Sequence, residues 1–389
     1  MKALTAHTDK IDDVEAAVSE ILEQLKPESG LLSRSIGILS CYADFVESGA
    51  MRAVCDALPF EVVGLTTLAN VGPGSTGTML LTLTVLTGDD VSFSVGLTAP
   101  LPSEDEAPLR EEYEAARARL DRRPSLMLSF VPLLVNAGGD FFVNAFTKIS
   151  GGVPNFGGLA VDHNSDYHDS CVVCNGEAYT DRYAFILLSG NVSPRFFMGS
   201  ISAAKIFRER GIVTAANGNQ LQTVNDVPVS DYLESLGFAK GADGFIVGLN
   251  SFPFVVDYND GTPPVIRAIY SQTPEGHAVG GGNIPVGATL SIGSMNASEV
   301  VATAAETINA ALSSGKSECF LIFSCVGRYF HLGYNPLEEA EKVQRTLDET
   351  GIPYHFAYSG GELCPAYVRE GSESIVNRNH NLTFVICAL

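Results

Sequence analysis

Charge is what this chain has least of. Only 18% of its 389 residues are Asp, Glu, Lys or Arg, against roughly 25% in ordinary globular chains. Basic charge is scarcer still: 24 Lys and Arg face 45 Asp and Glu, for a net charge of -21. No segment gathers the cations that a phosphate backbone or an anionic membrane surface requires, so neither nucleic acid nor membrane is an expected partner. Long apolar runs are also missing. The longest, Leu126 to Val135, falls far short of the ~18 residues of a membrane span. Met1 to Lys10 contains no apolar run of the kind a secretion signal needs. Eight cysteines are scattered without dense spacing, which predicts free thiols in a reducing cytoplasm.

What remains is a chain that is 46% hydrophobic with 38 glycines, enough for a sizeable core cut by many turns. Ile11, Val14, Val18, Ile21, Leu22 and Leu25 share one helical face, and Pro27, Ser29 and Gly30 end it. Residues 1–27 are therefore read as an N-terminal amphipathic helix. Behind it one pattern recurs three times: an apolar strand, a helix-like stretch, then a second strand interrupted by glycine. The pairs are Ser35–Ala43 with Glu61–Leu68, Ser125–Pro132 with Pro154–Asp162, and Cys319–Arg328 with Tyr354–Pro365. In the third, Asn335 and Pro336 suit a helix start, with Glu338 and Glu339 in the first turn. Leu337, Ala340, Val343 and Leu347 form its apolar stripe, and Gly351 closes it. Such units place parallel strands side by side, with their turns on one edge. Further strands are expected at Met79–Leu86, Val91–Leu97, Tyr183–Leu188, Phe245–Leu249 and Pro264–Tyr270, and helices at Pro108–Arg122 and Ser298–Leu312. The fold class is α/β, with mixed sheets built from three similar strand-helix-strand units.

The third unit carries a resemblance. SCVGRYFHLG (Ser324–Gly333), a helix, YSGGELCP (Tyr358–Pro365) and the closing Asn381-Leu382-Thr383 resemble the end of the FIST C-terminal region. The Val265-Ile266-Arg267 run and the Glu275-Gly276 turn are similar to it too. VVGLTT (Val62–Thr67), GGVPNFGGLAVD (Gly151–Asp162) and the Gly211–Gly237 segment resemble successive parts of the FIST N-terminal region. The resemblance implies an N-terminal FIST region over 28–228 and a C-terminal one over 229–389. It further implies a cytoplasmic signal-transduction sensor for a small ligand, an amino acid being one suggested class, working with a signalling protein partner and without an output domain of its own. Two alternatives come with the family: a protein-interaction scaffold like the FIST part of F-box proteins, and a haem-based gas sensor with His331 or His355 as candidate ligand. An enzyme is the less favoured class, because no Ser-His-Asp or Cys-His arrangement is supported by spacing.

Candidate ligand-binding residues cluster at the turns. Arg328 follows an apolar strand where a sheet's carboxyl edge would carry ligand, and its guanidinium suits a carboxylate. An ion pair with Glu362 is its structural alternative. Gly360, Gly361 and Glu362, with Asn155, Gly157 and Gly158, form turns whose backbone N–H groups could meet an anion; close approach of strands is the other explanation of the glycines. Thr66 and Thr67 offer hydroxyls at the equivalent first turn. Asn381 and Thr383, two apart, would share one face of a strand. Cys325 lies close enough to Arg328 for a lowered thiol pKa. Gly72 to Gly77 matches a dinucleotide fingerprint, yet alternating Thr and Leu follow where a helix is needed, so a hairpin turn is expected. His163, Asp166, His168, Asp169, Cys171 and Cys174 invite a metal reading. Cys171 and Cys174 stand three apart in an apparent strand and face opposite ways, so neither metal nor cofactor is expected.

Overall fold

In a computed structural model, the chain is described over residues 1–134, 137–164, 166–368 and 373–389. Three parallel strand pairs form its backbone: Arg34–Cys41 beside Val62–Thr66, Leu126–Val131 beside Asn155–Leu159, and Phe320–Cys325 beside Tyr354–Ser359. Their residues are almost all buried, which is why these strands read as continuous apolar runs rather than as alternation. Helical segments link the two strands of each pair: Ala50–Asp56 in the first, Gly139–Ser150 in the second, Glu338–Asp348 in the third.

Each pair is the centre of a six-stranded mixed sheet with the same strand order. Beside the first strand lies an antiparallel mate, then an outer strand. These are Leu81–Gly88 with Lys2–Thr8, Ala184–Gly190 with Val91–Leu97, and Phe384–Ala388 with Arg195–Gly199. Beside the second strand lies a hairpin that belongs, in sequence, to a different pair. Asn70–Gly72 and Ser75–Gly77 follow the first pair but complete the third sheet. Val172–Cys174 and Glu177–Tyr179 follow the second pair but complete the first sheet. Glu362–Tyr367 and Ile375–His380 follow the third pair but complete the second sheet. The three sheets are thus interlocked in a cycle.

Gly64 and Gly157 explain the glycine that interrupts the second strands. A Cβ at either would overlap a carbonyl oxygen of the neighbouring first strand, Leu39 O or Ser129 O. The turn after Gly72 is the expected hairpin.

The α/β class with mixed sheets stands, with three local corrections. Residues 2–8 form an edge strand, so the leading segment is a strand followed by the helix Val14–Leu25, capped by Asp13. Phe245–Leu249 is turn rather than strand, and Pro264–Tyr270 splits into Val265–Arg267 and Ile269–Gln272. Both lie in a fourth, eight-stranded antiparallel sheet between Gly211 and Ile292. Its core gathers Val213, Leu221, Leu233, Phe254 and Leu290. Strands of two to seven residues broken by Gly and Pro leave too short an alternation to read.

Candidate functional site

The carboxyl ends of the three parallel pairs meet, and backbone hydrogen bonds stitch them together. Val161 N–H donates to Thr66 O (3.1 Å), Gly360 N–H to Leu159 O (2.8 Å) and Leu159 N–H to Gly361 O (3.0 Å). Thr67 Oγ1 donates to Tyr358 O at 2.6 Å, and Tyr358 N–H to Ala69 O at 3.1 Å. Just past the strand ends, Leu68, Val161 and Val326 pack into a small apolar cluster with Tyr167 and Tyr329 at its margin. Close by, Tyr42 stacks on His163 with ring centroids 4.8 Å apart.

Beside this junction lies a group of buried polar atoms that are only partly satisfied. Glu362 opens the exchanged hairpin strand. Its Oε1 accepts the Ser359 hydroxyl at 2.9 Å, while its Oε2 has no partner among the described residues. Burial holds its carboxyl well above the usual range, more strongly than Ser359, Arg328 and the Thr383 N–H pull it down. Asn381 donates its amide to His380 O at 3.0 Å, and its Oδ1 is likewise buried and unpartnered among the described residues. Gly281, from the fourth sheet, covers this oxygen: a Cβ there would sit 2.6 Å from both Asn381 Oδ1 and Tyr270 Oη. Tyr270 keeps 62% of its surface open, while its hydroxyl is enclosed closely enough to feel Cys325, Glu362 and Tyr167, and burial raises its pKa. Asn381 and Glu362 are themselves 1% and 0% exposed, so their open oxygens are shielded from solvent.

Several expected site residues land elsewhere. Arg328 lies in the short helix Val326–His331 and is 0% exposed. Its partner is Glu339, not Glu362: Nη2 and Nε donate to Glu339 Oε1 at 2.6 and 2.9 Å. Its other hydrogen bonds go to Val300 O, Thr303 Oγ1 and Ser200 O, so the guanidinium is engaged internally and presents no fork to a ligand. Glu339 turns inward because it shares the buried face of its helix with Ala340 and Val343. Thr66 and Thr67 are buried stitches; Thr66 Oγ1 accepts Cys171 N–H at 2.9 Å. Asn155 is a strut whose Oδ1 accepts Ser129 Oγ and whose N–H donates to Asn377 Oδ1. Gly157 and Gly158 serve close strand approach, opposite Leu363 and Glu362. Gly360 and Gly361 use backbone groups on Leu159, as above. Asn381 and Thr383 sit in a turn, not a strand, with Leu382 left-handed at φ 52. Thr383 borders a separate open groove of 390 Å³ shared with His380, Ser200 and Thr303. Burial and Glu362 push the Cys325 thiol up, outweighing Arg328, so it remains protonated.

Cys325, Gly361, Glu362 and Asn381 are thus brought together as the sequence suggested. Tyr270, Tyr167 and Gly281 were missed because they come from segments remote in sequence; the only sequence signal was the FIST-like run ending at Arg267, three residues before Tyr270. His355 is fully buried with Nε2 3.1 Å from Ser40 Oγ and Nδ1 3.3 Å from Thr84 Oγ1, leaving no ring nitrogen for haem. His331 Nδ1 lies 2.7 Å from Gly327 O. Among the described residues no three His, Cys, Asp or Glu converge as a metal site; His168 bridges Asp166 and Asp169 instead.

Residues 35–227 match the FIST N domain and residues 228–365 the FIST C domain. The chain belongs to the FIST family, whose domains are small-ligand-binding signalling sensor domains. No curated protein matches it. Among solved structures it is similar to a cyanuric acid hydrolase from A. caulinodans, over 100% of this chain and 98% of that one, at 11% identity and a TM-score of 0.32. That likeness is too loose to carry an argument about fold or chemistry. Among the described residues no helix is long and apolar enough to cross a membrane.

Proposed function

We propose that this chain is a cytoplasmic sensor that binds a small ligand where Tyr270, Gly281, Asn381 and Glu362 meet, and does no chemistry on it. The observation that carries the reading is the pair of buried oxygens, Glu362 Oε2 and Asn381 Oδ1, without partners among the described residues. A buried polar atom left unpaired costs about 1–3 kcal/mol, and a ligand that pairs with both recovers that cost. Groups that could act as nucleophiles favour binding over catalysis: Cys325 is a buried thiol with a raised pKa, and Ser359 is committed to Glu362. That meeting point also spans two parts of the structure, Glu362 and Asn381 from the interlocked sheets and Tyr270 and Gly281 from the fourth. Occupancy would tie them together, a change a signalling partner can read.

A scaffold role is the second reading, favoured by two exposed aromatics, Phe330 in the short helix Val326–His331 and Tyr334 three residues past its end. The two separate on Gly281→Ala, whose methyl would crowd Asn381 Oδ1. Small molecules released from freshly purified protein are identified by mass spectrometry and titrated back. Binding with a melting-temperature rise of a few degrees, lost in Gly281→Ala, is expected. Equal binding by both proteins would place the ligand elsewhere.

A further inference from the structure

We propose that the open groove bordered by Thr383 and His380 takes an extended segment of a partner protein, a strand whose apolar side chains flank a Lys or Arg. The proposal is independent of where the small ligand sits, because it uses none of Tyr270, Gly281, Asn381 and Glu362.

Strand register carries the inference. In the third sheet Cys325 N–H donates to Thr383 O at 3.0 Å, so Val385 and Cys387 also turn their backbone groups toward Phe320–Cys325. Phe384, Ile386 and Ala388 therefore face the edge strand Arg195–Gly199, where they pair with Gly199, Phe197 and Arg195. Phe196 and Met198 are left pointing out of the sheet. The Phe196 N–H shows the direction, since it donates outward to Tyr367 Oη at 3.4 Å. The next outward position, Met198, has no partner for its N–H or C=O among the described residues.

The opposite wall repeats the arrangement. Gly293 N–H donates to Pro253 O at 2.8 Å, so Val255 faces Thr289–Ile292. Phe254 and Val256 then face Val265–Arg267, pairing with Arg267 and Val265. Ile266 is left pointing out of the edge of the fourth sheet. Pro263 and Pro264 just before it offer no N–H, which protects the rest of that edge from indiscriminate pairing. Met198 and Ile266 both line the groove of 390 Å³. Open edges of two different sheets thus border one groove, and an extended backbone is the partner that such groups accept.

Side-chain chemistry narrows the occupant. The walls are apolar at Ile201, Val255 and Ile266. Glu306, exposed on the helix Ala297–Ser313, is the one charged side chain of the lining among the described residues, since burial pushes His380 down to about 4 and keeps it neutral. Side chains alternate across a strand, so a Val-Lys-Val pattern sends two apolar groups one way and an ammonium the other. The net charge of -21 also favours the approach of a basic segment.

The test compares Ac-Val-Lys-Val-NH2 with Ac-Val-Glu-Val-NH2 by ligand-observed NMR on wild type, Met198→Pro, Met198→Ala, Glu306→Lys and Gly281→Ala. Proline at 198 removes the outward N–H and spares the ladder to Phe384–Ala388, alanine controls for the lost side chain, and thermal melts check folding. The Lys peptide is expected to bind wild type about two- to fivefold tighter than the Glu peptide. Glu306→Lys, at an exposed position that spares the fold, should reverse that order. Met198→Pro should lose about two- to tenfold beyond Met198→Ala, the range for one backbone hydrogen bond. Equal binding by the two Met198 variants would overturn the edge pairing, and equal binding of the two peptides to wild type would overturn the basic partner. Failure of the Lys peptide to bind wild type would overturn the groove as a peptide site. Gly281→Ala should keep the Lys peptide; losing it there would place the peptide at the small-ligand site instead.

Discussion

Ser324 and Cys325 are neighbours on one strand, and their side chains enter two opposite worlds. Ser324 donates to Glu339 Oε2 at 2.7 Å and joins the Arg328 cluster. Cys325 faces the other side, where Glu362 and Asn381 lie. Both regions are buried and carry ionisable groups. On the Arg328 side every carboxylate oxygen is used: Glu339 Oε1 by the guanidinium, Oε2 by Ser324. On the Glu362 side two buried oxygens, Glu362 Oε2 and Asn381 Oδ1, have no partner among the described residues. A folded chain leaves few such atoms unpaired, so the contrast separates a cluster that holds the fold from one that waits for a partner.

The largest expected effect tests the satisfied side. Arg328→Ala strands Glu339 in the interior and should cost about 3–5 kcal/mol of stability, measured by denaturant unfolding, with small-ligand affinity in the folded fraction unchanged. Removing both charges in Arg328→Met/Glu339→Leu should cost less than the two single changes summed. A stable Arg328→Ala protein with lost binding would reverse the roles assigned to the two sides.

That reversal is also what the sequence alone suggested, and the reason is physical. The parallel pairs were legible because strands buried on both faces are continuous apolar runs, and the Glu338–Asp348 helix because Ala340, Val343 and Leu347 repeat at helical spacing. Glu339 looked like a first-turn acid facing solvent; nothing local marks it as Arg328's partner, since that pairing depends on how its helix is rotated against the sheet. The cyclic hairpin exchange is invisible for the same reason. Pairing Glu362–Tyr367 with Asn155–Leu159 joins segments some two hundred residues apart. Of the site, the residues next to recognisable turns, Glu362, Gly361, Asn381 and Cys325, could be nominated. Tyr270 and Gly281 could not, because the strands that carry them are too short to read.

The open side gives the next effect. Above the ordinary glutamate pKa of about 4.3 the unfolded chain releases the Glu362 proton, while the folded protein, with its pKa raised by burial, retains it. Stability is therefore lost as pH rises, by at most about 1.4 kcal/mol per unit. Glu362→Gln removes that slope. The variant should gain on wild type between pH 5 and pH 7, by up to about 2.6 kcal/mol, in melts run across that range. A difference that does not change with pH would mean Glu362 is ionised and paired, and the two sides would no longer differ.

Between these extremes lies a cluster that is satisfied only while neutral. Ser40 Oγ donates to Asn70 Oδ1 at 2.6 Å, lies 2.9 Å from Thr82 Oγ1 and 3.1 Å from His355 Nε2, and Thr84 Oγ1 closes the chain at Nδ1. Hydroxyls can serve both ring nitrogens of neutral imidazole, but no carboxylate there can balance an imidazolium. Burial accordingly pushes His355 down to about 3. The sign follows: the unfolded chain takes up a proton below about 6.5 and the folded one does not, so this stabilisation is intact at pH 7 and lost as pH falls toward 3. By pH 5 the loss is about 2 kcal/mol. His380, pushed down to about 4, adds a second contribution over the same window. His355→Leu keeps the volume and removes the titration. Its stability should fall less between pH 7 and pH 5 than that of wild type, whatever its value at pH 7. Parallel pH profiles for the two proteins would show that His355 protonates in the folded state, and this cluster would then belong with the open side rather than with the satisfied one.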